Sequence, residues 1–114
     1  MTRANYQRTA DRFTALFNRI TKARLSGAEL APALASALGH ELAAINVATD
    51  LPPGAVPVWN AFVDQYLSLP AKPGEPLGDP LAKLRGATQY QAEEAMNMVG
   101  EVQALVLEGM KNAR

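Results

Sequence analysis

The chain reads as an all-α protein: a four-helix bundle with a short third helix, a proline-rich strap and a long C-terminal helix. Three observations lead there. Apolar side chains recur at spacings of three and four in four separate segments, the rhythm of a helix face turned toward a core. Most prolines gather between those segments, around 52–57 and 70–80, where they punctuate rather than interrupt. The chain has 114 residues, 48% of them hydrophobic and 19% charged, which suits one globular domain with a modest core.

The first helix is expected over 3–24. Tyr6, Ala10, Phe13, Phe17 and Ile20 alternate in steps of four and three along one stripe. The second, over 27–49, has a start signal in "LSGAEL": Ser26 as cap, Glu29 reaching back to complete a capping box, and Leu25 stapling against Leu30. Pro32 should kink this helix or loosen its start, because its ring removes a donor and crowds the preceding turn. Leu34, Leu38, Leu42 and Ile45 form its main stripe. Ala33, Ala37 and Ala44 form a second, smooth face, so the helix is central or also meets another subunit.

A Pro-Pro-Gly turn at 52–54 ends that helix, and Pro57 suits the first position of the third, expected over 57–69. Val58, Trp59, Phe62, Val63, Tyr66 and Leu69 give it a wide apolar face, with Asn60, Asp64 and Ser68 opposite. The fourth is expected over 80–111, capped by Asp79 with Pro80 at its first position. Thr88, Ala92, Ala95, Val99, Val102 and Val106 keep the four-three rhythm, and Gly86 and Gly100 are its weak points. Part of so long a helix would overhang its shorter neighbours and expose an apolar surface for a second subunit.

Residues 70–79 carry prolines at 70, 73 and 76 and glycines at 74 and 78. Proline at every third position favours an extended, solvated conformation rising about 3.1 Å per residue, enough to carry the chain across the end of a bundle as a strap. A domain boundary is disfavoured, since the chain beyond the strap is essentially one helix with no core of its own. Recognition of the segment by a partner that binds proline-rich ligands is the remaining reading.

Several function classes lose their footing here. Without cysteine there is no disulfide, zinc–thiolate site or thiol nucleophile. His40, the lone histidine, has no helical carboxylate motif beside it and reads as a surface or interface residue; no metal or other cofactor is expected. Neither a phosphate-cradling glycine loop with its lysine nor a Gly-x-Ser-x-Gly elbow occurs. No catalytic residue is assigned. The polar N-terminus lacks a secretory signal and no apolar run is long enough to span a membrane, so a soluble, cytoplasmic location is expected.

Charge is the more telling feature, because eleven basic residues balance eleven acidic ones only over the whole chain. Residues 1–24 hold six basic side chains against Asp11 alone, a net of plus five, leaving minus five for the rest. Arg8, Arg12, Arg19 and Lys22 cluster opposite the aromatic stripe of the first helix, and Glu94, Glu101 and Glu108 recur every seventh residue on the last. Two such ladders can meet across a subunit interface, where charge pairs select partner and register.

The leading expectation is therefore a non-enzymatic protein–protein interaction module, an adaptor, small chaperone, assembly factor or inhibitor, whose partner is another protein or itself as a homodimer. One alternative is a small-ligand enzyme or binding protein. In it Glu41, at the edge of the leucine stripe, is a buried acid of raised pKa, with Trp59 and Tyr66 lining a pocket between the second and third helices. The other is salt-sensitive, non-specific nucleic-acid binding by the basic first helix, disfavoured by the acidic remainder and the lack of any recognition motif. A membrane-surface role would withdraw the aromatic stripe from a core that can scarcely spare it.

Overall fold

The computed structural model describes residues 2–41, 47–67 and 81–113. Its helices are α1 (Thr2–Leu25), α2 (Leu30–Glu41), α3 (Val47–Asp50), α4 (Val56–Tyr66), α5 (Ala82–Arg85) and α6 (Gln89–Asn112). The described residues include no strand, and the protein is an all-α bundle. The strap at 70–79, the Asp79–Pro80 helix start, Ser68, Leu69, and Leu42, Ala44 and Ile45 of the second helix lie outside the described residues.

On α1 the buried stripe runs Tyr6, Thr9, Ala10, Phe13, Leu16 and Ile20. Phe17, expected on that seam, is only half-buried, and Leu16 fills the place instead with 0% exposure. Positions 16 and 17 straddle the seam almost equally at 3.6 residues per turn, so packing decides between them. Thr9 is buried because it has work for its hydroxyl, which lies 2.9 Å from the Asp50 carbonyl and 3.0 Å from the Asn5 carbonyl, tying α3 to α1.

The end of α1 corrects the expected start of the second helix. Gly27 takes φ +93, a left-handed conformation that a side chain would strain. Its N–H donates to the Arg24 carbonyl at 3.0 Å, and the Ala28 N–H donates to the Ala23 carbonyl at 3.0 Å. These two bonds make a Schellman termination, which satisfies carbonyls that α1 would otherwise leave open. Ser26 is spent on it: its hydroxyl donates back to the Lys22 carbonyl instead of capping α2. Helix α2 consequently starts three residues later than expected, at Leu30. That places Pro32 in its first turn, where a missing N–H costs nothing, and no kink is needed.

Helix α2 is central. Leu30, Ala31, Ala33, Leu34, Ala35, Ala37 and Leu38 are all buried, and its neighbours are α1, α5 and α6. The smooth face of Ala33 and Ala37 is thus covered by the chain itself and is not a docking surface. A Cβ added at Gly39 would already lie 3.2 Å from Leu81, at the start of the α5 turn.

The turn at 52–55 closes with the Ala55 N–H donating to the Pro52 carbonyl at 2.9 Å, and α4 begins directly after it with Pro57 in its first turn. It ends at Tyr66, earlier than expected, as Leu67 is already extended. Its aromatic residues join α1 in a continuous train. Ring centroids of Phe13 and Trp59 are 6.3 Å apart, those of Trp59 and Phe62 5.8 Å, and those of Phe62 and Tyr66 5.9 Å, all tilted as ring quadrupoles favour.

The expected 80–111 helix is broken. Helix α5 is a single turn that buries Leu84 completely, and the chain re-enters a helix only at Gln89. Gly86 weakens continuation, while Thr88 and Gln91 form a capping box: the Thr88 hydroxyl accepts from the Gln91 N–H at 3.2 Å and the Gln91 side chain accepts from the Thr88 N–H at 3.0 Å. The rest of the stripe, Ala92, Ala95, Val99, Val102 and Val106, is fully buried as its spacing requires. Both α1 and α6 have 24 residues, so the anticipated overhang does not arise. The far end of α6 is closed instead by Pro52 and Tyr6, which approach Gly109 so closely that a Cβ there would lie 2.6 Å from the proline ring.

Candidate interaction surfaces

The basic side of α1 is solvent-facing, with Arg8, Arg12, Arg19 and Lys22 all exposed, but its charges are not equally available. Arg12 Nη1 lies 3.4 Å from Glu41 Oε2, and Arg19 Nε lies 3.7 Å from Glu41 Oε1. The two arginines are seven residues apart, two helical turns, so one carboxylate at the end of α2 is clasped from both sides. The Glu41 side chain is 11% exposed against 43% and 51% for its partners, so water screens the guanidinium ends far more than the carboxylate. This is how a carboxylate tolerates the edge of the leucine stripe. Arg8 donates to the Asn5 side chain, leaving Lys22 as the member of the cluster furthest toward the helix end.

A shallow recess of about 330 Å³ adjoins the clasp, lined by Arg8, Asp11, Arg12, Ala15 and Glu41. Trp59 is not part of it, being enclosed in the aromatic train, and Tyr66 lies elsewhere. Glu41 and Tyr66 thus line different recesses.

Tyr66 belongs to a second recess of about 420 Å³, between the end of α4, the α5 turn and the start of α6, with Gln65, Tyr90 and Glu94. The Gln65 amide lies 3.4 Å from both the Tyr66 hydroxyl and the Glu94 carboxylate. Burial first, and then the hydrogen bond and charge of Glu94, with a smaller contribution from Tyr90, raise the Tyr66 pKa above the usual phenol value.

Glu94 is thus half-buried and engaged, whereas Glu101 and Glu108 stand exposed on α6. Helices α1 and α6 pack directly, yet among the described residues no ion pair joins the basic ladder to the acidic one. A polar contact crosses that packing instead: Gln103 donates to the Thr14 hydroxyl at 3.2 Å and reaches the Ala10 carbonyl at 3.5 Å.

The feature that spacing misjudged is Leu25. Rather than stapling to Leu30, it is 84% exposed, while Leu30 is buried. It stands between two recesses. One, of about 420 Å³, combines buried Ile20 and Leu30 and half-buried Met96 with exposed Arg24, Gln89 and Glu93. The other, of about 560 Å³, is bordered by Arg19 and Lys22. The sequence signal was present: Leu25 falls one residue past the seam position occupied by Arg24 and directly before the Ser-Gly of the Schellman turn.

His40 is exposed, and among the described residues no group of three or more histidine, aspartate or glutamate side chains is placed to hold a metal ion. No described helix is long and apolar enough to cross a membrane. No family model matches the chain, and neither a curated protein nor a solved structure does.

Proposed function

We propose that this chain is a non-enzymatic protein–protein interaction module that works by presenting helix faces to a partner, in the manner of an adaptor, small chaperone, assembly factor or inhibitor. The observation that carries the reading is Leu25: a large apolar side chain in water, set between two recesses and bordered by the cations Lys22 and Arg24. An apolar centre with a charged rim is the anatomy of a recognition patch. The exposed Glu101 and Glu108 on α6 offer a second, acidic face.

The ligand-binding alternative gains less support, since Glu41 is charge-compensated by two arginines and lines a different recess from Tyr66. The nucleic-acid alternative must do without much of the field of Arg12 and Arg19, which face the same carboxylate. Capture from a native lysate tests the proposal: the wild-type chain should retain a protein that Leu25→Gln and Lys22→Glu release, or should self-associate. A chain that holds nothing and is monomeric at every concentration refutes it.

A further inference from the structure

We infer that the end of α1 is a self-association site, in which a second copy of this chain seats its Leu25 in the recess beside the first copy's Leu25. The inference rests on the interaction-module reading and names the partner. A two-fold interface requires one patch to carry both halves of every contact. This patch does so. Leu25 supplies the knob, and the adjoining recess, floored by Ile20, Leu30 and Met96, supplies the hole.

The charges repeat the pattern. Arg24 and Glu93 are both exposed and both line that recess, yet no ion pair joins them among the described residues. Within the chain, Arg24 reaches the Ala28 carbonyl at 3.4 Å, and Glu93 accepts from Gln89 at 3.2 Å. Two-fold docking brings Arg24 of each copy to Glu93 of the other while both leucines leave water. A foreign partner would need a patch complementary to this particular mixture, whereas a second copy carries it by construction.

Charge also selects the side of Leu25 that docks. The larger recess on its other side is bordered by Lys22 and by an Arg19 already paired with Glu41, and no carboxylate among the described residues lines it. A second copy presented there would find no counter-charge for its own cations. One exposed leucine per copy is a small apolar anchor, so association is weak and concentration-dependent.

Sedimentation equilibrium on the full chain, carried up to roughly 1 mM, reads the result directly. The wild-type mass should rise toward that of a dimer, and Leu25→Gln should weaken association at least roughly tenfold, as loss of a central apolar anchor does. Because Leu25 is exposed, that variant keeps the fold, which helicity verifies. Arg24→Glu and Glu93→Arg should each weaken the dimer, and the two together should restore it. A monomer throughout the range, or a dimer indifferent to all of these substitutions, overturns the inference. If the monomeric chain instead retains a different protein through Leu25, the second copy is excluded and the interaction-module reading survives; if it retains nothing, both fall.

Discussion

Two glycines of α6 should respond to the same substitution with opposite signs. Alanine within a helix gains up to about 1 kcal/mol over glycine by reducing the freedom of the unfolded chain. At Gly100 nothing opposes that gain, because the new methyl would meet Phe17 Cζ at 3.9 Å, an ordinary contact. Gly100→Ala should therefore stabilise by about 0.5–1 kcal/mol. At Gly109 the methyl would lie 2.6 Å from Pro52 Cβ and 2.8 Å from Cγ. Carbon atoms rest at about 3.5–4.0 Å, so the overlap is roughly 1 Å, and the proline ring has no rotamer by which to withdraw. Overpacking of this kind costs about 1–3 kcal/mol, set against a propensity gain that shrinks in a last helical turn. The net expectation is a loss of about 1–2 kcal/mol, separating the two variants by about 1.5–3 kcal/mol. Urea denaturation followed by far-ultraviolet circular dichroism measures the difference at unchanged slope. Pro52→Gly should recover much of the Gly109→Ala loss in a double-mutant cycle. If Gly109→Ala proves as stable as Gly100→Ala, Pro52 does not close the end of α6.

Three further outcomes are expected from the geometry. Arg12→Ala and Arg19→Ala should each cost under about 1 kcal/mol, because each arginine is roughly half exposed and the other still holds Glu41; the double variant strands the carboxylate and should cost more than the two added together, and strict additivity in denaturant melts would refute the shared clasp. A raised Tyr66 pKa means the unfolded chain ionises first, so its contribution to stability is whole below about pH 10 and is lost as pH climbs from there through the folded value; Tyr66→Phe should flatten that decline and Glu94→Gln should soften it, and an unchanged slope in alkaline melts of both would refute the assignment. Thr88→Ala should cost about 1 kcal/mol and fray the start of α6, seen as faster amide exchange at Gln89–Ala92, whereas unaltered exchange would show the box to be idle.

Legibility differed sharply between the faces of helices and their ends. The valine stripe of α6 and the aromatic face of α4 could be read directly, because a side chain's position around its own helix depends only on spacing. Ends were harder. "LSGAEL" and "GATQYQ" both contain a Ser/Thr with Glu/Gln three residues later, and spacing alone favours the first as a capping box, because a leucine stands ready on either side of it. The structure uses the second. At 26–29 the box competes with a Schellman turn that Gly27 makes available, and the two differ by roughly the value of a cap, about 1 kcal/mol, which no local pattern resolves. The same choice settles Leu25: a box at Ser26 would have folded it toward Leu30, and the Schellman turn leaves it in water.

The sequence alone determined that this chain is helical, which stripes of α2, α4 and α6 are apolar, and that a basic ladder lies on the first helix and an acidic one on the last. Tertiary structure decided which groups meet: Arg12 and Arg19 on Glu41, Thr9 on the Asp50 carbonyl, Gln103 on Thr14, and Gly109 under Pro52. The reason is geometric. Spacing specifies a residue's angle around its own axis, whereas contact between helices also requires the rotation and sliding of one axis against another, and those emerge only when all the apolar stripes are buried at once.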